Sequence, residues 1–353
     1  MQPDEPLRVV QWTTGNVARQ TVRAILARND LELVGVFAHS PAKVGKDVAE
    51  LCGLDEPLGI VATDDVDALL AQRPDCVVYT PLHFDVDEVV RLLAAGTDVV
   101  TTAEFLSGRN LTDGEHRQLS EAATTGRATV FGSGMNPGFA QLLGAVASGV
   151  SLDVRKVTVT ESVDVSLFAG DANMDALGWG RPAGDADHPA AVAAATEVFA
   201  EAVDVLAALL GFDAGAVEPR CRVEFAHATR DLDLPGRPIT RGTVAGIDLR
   251  WEGTVDGRAV IELHQRWLMG TEIDPPWKAE HAYLVEVDGD PQVRLRMELW
   301  PDGDVGGLTP EAIHAIGMRI TGLPIVNAIR AVCAGPPGVR TYADLPTVAG
   351  VVG

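Results

Sequence analysis

The residues able to do chemistry stand at the ends of short apolar runs. Leu7 to Trp12 is followed by Thr13, Thr14, Gly15, Asn16 and Val17, which open a helical pattern. Against the dinucleotide fingerprint G-x-G-x-x-G the turn reads Thr13-x-Gly15-x-x-Ala18. Gly15 keeps the position where the backbone must approach a pyrophosphate, and the helix start supplies partial positive charge. A plain strand-to-helix turn has the same residues, so the turn counts only in context. After the second run, Leu31 to Ala38, an acid normally holds the adenosine ribose hydroxyls. His39, Ser40 and Lys43 stand there instead. A hydroxyl and a cation suit a 2′-phosphate, which favours NADP(H) and leaves NAD(H) open.

Three further ends carry small and polar residues. Asp75 to Tyr79 runs into Thr80, Pro81, Leu82 and His83; Thr97 to Thr102 runs into Ala103, Glu104 and Phe105; Ala128 to Phe131 runs into Met135, Asn136, Pro137 and Phe139. A carboxylate such as Glu104 in apolar company can move protons, and burial there would raise its pKa. It could equally cap a helix or pair with Arg109. Met135, Phe139, Phe168, Trp179 and Trp267 could wall an apolar pocket or simply fill a core. Pairing with Asp248 explains His264 as well as a site role does. No cysteine or histidine cluster has metal-ligand spacing, so no metal is expected.

The elements that position these residues read clearly. Apolar strands alternate with helices up to Phe139, as in a doubly wound parallel sheet of the Rossmann type. From Ala140 the pattern changes: a helix to Gly149, a strand over Arg155 to Val163, helical stretches around Asn173 to Gly178 and Pro189 to Gly211, then long strands from Cys221 to Leu299 without helices between them. That is an α+β domain with a mostly antiparallel sheet. The helix over Thr309 to Cys333 has the wrong neighbours for that sheet and is expected to return to the first domain. The divisions are thus 1–139, 140–305 and 306–353. One hairpin is expected in a definite register, with a Val255-Asp256-Gly257 loop pairing Trp251 with Ile261 and Arg250 with Glu262 and Gly257 at positive φ.

Composition limits the function classes. The chain has 353 residues and a net charge of −22, and so would repel a phosphate backbone or an anionic membrane. Its four cysteines are scattered at Cys52, Cys76, Cys221 and Cys333, which suits a reducing cytoplasm better than a disulfide framework. The N-terminus lacks the features of a signal peptide, and the Pro189 to Gly211 stretch, broken by Glu197, Glu201 and Asp204, reads as amphipathic.

The start Val9-Val10-Gln11-Trp12-Thr13-Thr14-Gly15-Asn16-Val17, the segment Thr101-Thr102-Ala103-Glu104, the turn Gly134-Met135-Asn136-Pro137-Gly138-Phe139 and the ending Asn327-Ala328-Ile329…Gly335-Pro336-Pro337-Gly338 resemble the dihydrodipicolinate-reductase-like group. Within it they are most similar to the 2,4-diaminopentanoate dehydrogenases and native amine dehydrogenases. The resemblance implies a nicotinamide-binding Rossmann domain, a substrate-binding and dimerising α+β domain, a homodimer, and reductive amination of a small ketone or aldehyde with ammonia, or its reverse. The family's catalytic glutamate matches Glu104. Thr102, Ala103 and Asn327 then fall to the nicotinamide end of the cofactor, Asn327 being an interhelical contact if its helix lies otherwise. The His-His…Lys motif of true dihydrodipicolinate reductases is absent; the stretch reads Glu161-Ser162-Val163-Asp164. A diamine-specific enzyme would need a further acid, from Glu161, Asp164 or Asp171. A cofactor-binding sensor without turnover is the reading from another class.

Overall fold

The computed structural model describes residues 5–302, 307–346 and 348–350. The chain forms two compact units, one of residues up to Phe139 and from Ala315 onward, the other from Ala140 to His314.

The first unit runs β1 (Leu7–Trp12), α1 (Asn16–Leu26), β2 (Leu31–Phe37), α2 (Val48–Cys52), β3 (Ala62–Thr63), α3 (Val66–Ala71), β4 (Cys76–Tyr79), α4 (Val86–Ala94), β5 (Asp98–Thr101), α5 (Asp113–Gly126) and β6 (Thr129–Gly132). The second follows as α6 (Ala140–Ser148), β7 (Leu152–Asp164), α7 (His188–Ala195), α8 (Val198–Leu209), β8 (Glu218–Ala228), β9 (Val244–Val255), β10 (Arg258–Leu268), β11 (Ile273–Asp274), β12 (Ala282–Asp290) and β13 (Val293–Met297). The chain ends with α9 (Pro310–Cys333), which belongs to the first unit from Ala315 on, and β14 (Gly338–Arg340).

The first sheet is parallel throughout, in the order β14-β6-β5-β4-β1-β2-β3. The chain builds outward from β1 through β2 to β3, then crosses back to β4 on the other side of β1. The carboxyl ends of β1 and β4 therefore flank the switch point where ligands of such sheets bind. β1, β4 and β6 are almost wholly buried, which is why they lack polar alternation. α9 packs on α1 so closely that a Cβ on Gly322 would stand 2.5 Å from Thr21 Cγ2. By length and composition α9 could cross a membrane, but Gly322, Pro324, Ile325, Val326, Ala328, Ile329 and Val332 are buried inside this unit. The short strands β3 and β14 carry no periodic signal, and they exist only through pairing with β2 and β6.

The second sheet has the order β11-β8-β9-β10-β7-β12-β13, with β10 and β7 parallel and all other pairs antiparallel. One face is apolar around Val157, Val159, Ile261, Leu263, Leu249, Val285 and Val287, and α6 and α8 pack on it. The other face carries charge.

Several expectations are corrected. The hairpin turns on two residues, Asp256 and Gly257, both at positive φ, so Val255 pairs with Arg258. A bulge between Ala259 and Ile261 then shifts the register, and Trp251 faces Leu263 while Arg250 faces His264. The bulge restores the match of apolar faces that the two-residue turn alone would lose. Gly257 does take positive φ. The Pro189 to Gly211 stretch is two helices broken at Thr196, whose hydroxyl donates to the Val192 carbonyl at 2.8 Å and accepts from Trp251 Nε1 at 3.2 Å. α8 is not amphipathic: Glu201 is buried with its neighbours. Asn173 to Gly178 holds only a short helical turn at Ala172–Met174.

At the amino end of β5, Asp98 accepts from the Thr129 amide at 2.6 Å. Burial pushes its pKa up to about 6. A carboxyl pKa raised in the folded state stabilises the fold fully below about pH 4 and ceases to do so as pH rises through about 6. A rise of that size corresponds to about 3 kcal/mol between the two protonation states. Asp98→Asn keeps the acceptor for Thr129 and removes the charge, so the variant should be more stable than wild type at pH 8 by about 2–3 kcal/mol and equal to it at pH 4. Denaturant midpoints across pH check this; parallel pH curves for the two proteins would refute it.

Candidate active site

The loops after β4 and β5 are joined by aromatic packing. Phe84 and Phe105 stack with ring centroids 4.3 Å apart and planes 8° from parallel. The residues just before them, His83 and Glu104, are thereby brought together, with His83 Nδ1 3.2 Å from Glu104 Oε2. The chain turns after β5 because the buried Thr101 hydroxyl accepts from the Ala103 amide at 2.9 Å. β6 ends against the same loop, and a Cβ on Gly132 would lie 1.8 Å from the Phe105 carbonyl oxygen, so only glycine permits that approach. Glu104 is not buried, as its apolar neighbours had implied: 55% of its side chain is accessible, and 76% of that of His83. Ala103 and Phe105 turn inward in its place. A carboxylate paired with an imidazole at an open crevice can accept and return protons.

The first turn leaves space and amide donors at the start of α1. Thr13, where the fingerprint has its first glycine, takes φ +76, a costly conformation for a β-branched residue. Its hydroxyl lies 3.2 Å from that of Thr80. A Cβ on Gly15 would meet nothing within 4 Å. α1 has no side-chain cap and no acid in its first turn, while Asp47, Asp65, Asp85 and Thr112 cap α2 to α5. Its first amides are thus left for an outside acceptor. Thr14 is buried, and Asn16 and Val17 reach the helix surface. Thr80 serves the framework, donating to the Trp12 carbonyl at 3.0 Å; Pro81 and the exposed Leu82 follow it. At the end of β2, His39 and Ser40 are exposed and Lys43 is half-buried, its amide donating to the Ser40 carbonyl at 2.8 Å. Thr102 donates its amide to the Tyr79 carbonyl. Met135, Asn136, Pro137 and Phe139 form the loop after β6, with Met135 buried and the others half-buried.

Asn327 does not reach this crevice. Its Oδ1 accepts from Arg28 Nη1 at 3.1 Å, and Arg28 lies in the turn into the amino end of β2, at the opposite end of the sheet. The contact ties α9 to the turn that follows α1, which is neither the nicotinamide role nor a contact between two helices.

In the second unit, Glu161 and Trp267 share the apolar face and His264 lies on the other, because their strand positions alternate. Glu161 accepts from Trp267 Nε1 at 3.2 Å and from the Tyr283 hydroxyl at 2.7 Å. His264 bonds Asp248 at 2.9 Å. Asp248 also accepts from Arg266 and Arg250. Burial alone would raise its pKa, but these donors, His264 first, hold it well below the usual carboxylate range. His264 is therefore a member of a charged cluster apart from Glu161. Phe168 stacks on His314, centroids 5.0 Å apart, and Trp179 is buried. Asp164 bonds the amide and hydroxyl of Ser166, and Asp171 takes His314 at 2.9 Å. Sequence reasoning missed Gln265, which lies beside Glu161 in the sheet. Its amide is fully buried, and neither polar atom has a partner among the described residues. Among those residues no group of three or more His, Cys, Asp or Glu could hold a metal ion.

A parallel sheet with an uncapped first helix, joined to an α+β unit, defines a nicotinamide-nucleotide oxidoreductase of the two-domain reductase type. The family described as dihydrodipicolinate reductase, N-terminus, matches residues 9–131. The 4-hydroxy-tetrahydrodipicolinate reductase of Synechococcus elongatus is 33% identical over 33% of this chain and 44% of its own. An amine dehydrogenase of Streptomyces virginiae is 30% identical over 96% of both chains. A solved amine dehydrogenase from Mycobacterium smegmatis shares the fold over 99% of both chains, with TM-score 0.76 at 22% identity. GenD2 of gentamicin A biosynthesis, solved with NAD, superposes with TM-score 0.52 at 19% identity, over 93% of this chain and 88% of its own. The match to the reductase family model ends at residue 131, within the first unit. The chain belongs to the amine dehydrogenase family, oxidoreductases of the CH–NH2 group of donors that use a nicotinamide cofactor.

If the aromatic stack holds the two loops, Phe105→Ala should cost about 3–5 kcal/mol of stability. His83→Ala removes only an exposed pair and should stay within about 1 kcal/mol. Urea unfolding of both variants checks this, and a fully stable Phe105→Ala would show that something else positions Glu104.

Proposed function

We propose that this protein catalyses the reductive amination of a small ketone or aldehyde with ammonia, and the reverse oxidative deamination, with Glu104 as the acid–base residue. The observation that carries the reading is the Glu104–His83 pair at the carboxyl ends of β5 and β4. Glu104 has no arginine or lysine partner among the described residues, so its charge is available to a substrate. When ammonia attacks the carbonyl carbon, its nitrogen must lose a proton, and Glu104 accepts it. Glu104 passes that proton to the carbonyl oxygen, giving the neutral carbinolamine, and a second proton, taken up from solvent through Glu104, lets the hydroxyl leave as water. The carboxylate then faces a cationic iminium and stabilises it. A bound reduced nicotinamide supplies the hydride to that carbon. His83 orients the carboxylate. In the reverse direction Glu104 takes the proton of the water that adds to the iminium.

The first unit fits the cofactor. The open space over Gly15 and the free first turn of α1 would take the pyrophosphate. His39, Ser40 and Lys43 would meet the adenosine end, and Thr102, Ala103, Asn136 and Pro137 the nicotinamide end. We favour NADP(H), on Ser40 and Lys43. A homodimer and a cytoplasmic location belong to the same reading, the latter supported by four free thiols. Glu161 favours a second reading, a diamine or amino-ketone substrate. Of the three acids considered, it alone stands on the apolar face beside Trp267 and Tyr283.

Glu104→Gln should lower turnover by about 10²–10⁴-fold and leave cofactor affinity nearly unchanged. Turnover with an alkyl amine and, separately, with a diamine, alongside calorimetric cofactor binding, provides the test. Retention of more than a tenth of the wild-type rate would refute the role of Glu104. Cofactor binding with no amine-dependent reduction in wild type would favour a sensor. Lys43→Ala should weaken NADPH by about 1–2 kcal/mol, the scale of a charge-assisted hydrogen bond, with NADH little changed. Equal losses would remove the 2′-phosphate assignment.

A further inference from the structure

No acid ends β2, yet a carboxylate reaches that place from another element. Glu88 lies in the first turn of α4. Its Oε2 accepts from the Tyr79 hydroxyl at 2.7 Å and from Trp12 Nε1 at 3.2 Å. Tyr79 and Trp12 are the last residues of β4 and β1, so the two strands at the switch point fix the carboxylate between them. The Tyr79 hydroxyl remains a donor, because burial, and after it the Glu88 carboxylate, pushes its pKa well above the ordinary tyrosine value.

The second oxygen is left over. Oε1 stands 3.8 Å from His39 Nε2, beyond hydrogen-bond reach, and takes no hydrogen bond among the described residues. One quarter of the Glu88 side chain is accessible, and more than half of that of His39. His39 is itself held edge-on to Phe37, centroids 4.7 Å apart, and Phe37 stacks on Trp12 at 4.0 Å. A chain of packed aromatic rings therefore links the carboxylate to the end of β2. The oriented oxygen faces the residues beside which the adenosine ribose of a dinucleotide lies in such sheets.

We propose that Glu88 is a specificity-determining residue that replaces the missing acid of β2. Its Oε1 accepts from the adenosine ribose hydroxyls of NAD(H), and its charge opposes the 2′-phosphate of NADP(H) that Ser40 and Lys43 attract. This rests on the cofactor reading above. The two charges act on the same atom of the ligand from different elements, Lys43 after β2 and Glu88 from α4. The ratio of the two affinities is set by their difference. A bare carboxylate accepting from a ribose hydroxyl makes a charge-assisted hydrogen bond, and its loss is worth a factor of about ten or more.

The test is calorimetric binding of NADH and NADPH to wild type, Glu88→Gln and Glu88→Asp. Gln still accepts from Tyr79 and Trp12 through its carbonyl but loses the charge. Asp keeps the charge but is too short to hold both donors and reach the ribose. The expected result is a Kd for NADH raised about tenfold in both variants. For NADPH the Kd should be unchanged or lowered in Glu88→Gln. A carboxylate that merely ties Trp12 to Tyr79 would lower the thermal midpoint and weaken both cofactors alike. Equal factors for NADH and NADPH in the variants would thus overturn the proposal and leave the cofactor reading standing. Wild type that bound neither dinucleotide would overturn both.

Discussion

The crevice of the first unit rests on one buried side chain. Gln11, in β1, is wholly inaccessible. Its two Nε2 hydrogens are shared among the carbonyls of Trp12 and Val78 and the Thr80 hydroxyl, and its Oε1 accepts from the Thr21 hydroxyl of α1. A buried amide left without partners would cost about 1–3 kcal/mol per group, so the arrangement of β1, β4 and α1 is fixed where all of its bonds can be made at once. That arrangement opens the sheet at its switch point. The strained Thr13, the open space over Gly15 and the ring stack from Trp12 to His39 all follow from where β1 ends.

The two carboxylates at this crevice are held in different ways, and the difference matters for what each can do. Glu104 is exposed and, among the described residues, pairs with His83. Glu88 is gripped by two aromatic donors, the Tyr79 hydroxyl and Trp12 Nε1. Glu104 is positioned by the Phe84–Phe105 stack between neighbouring loops, Glu88 by hydrogen bonds from the last residues of β4 and β1.

The second unit separates its tasks by the two faces of one sheet. Helices cover the apolar face, and the polar groups on it are few: Glu161 with its two aromatic donors, and the unbonded amide of Gln265. On the opposite face Asp248 gathers His264, Arg266 and Arg250, and Glu262 takes Lys156. Alternation along β10 places Gln265 and His264, adjacent in sequence, in these two unrelated environments. The match to an amine dehydrogenase over 96% of the chain includes this unit, whereas the reductase family model matches only residues 9–131.

Much was legible in the sequence because the signals were local. Apolar runs marked β1, β2, β4, β5 and β6, and their ends named Gly15, Lys43 and Glu104 as crevice residues, since a parallel sheet leaves only those ends free for ligands. The change of pattern at Ala140 marked the second unit. What the sequence could not decide were matters of pairing across distance. The hairpin register depended on a bulge, which costs one residue and leaves no compositional trace. The exposure of Glu104 depended on the Phe84–Phe105 stack, formed by residues on separate loops. Asn327 went to Arg28, at the far end of the sheet, because the direction in which α9 crosses α1 is set by packing at Gly322 rather than by the helix's own residues. And the carboxylate that stands 3.8 Å from His39 comes from Glu88 of α4, 49 positions further along the chain. Only the folded sheet brings those two positions together, because side-chain contacts between elements are chosen by tertiary packing and not by sequence spacing.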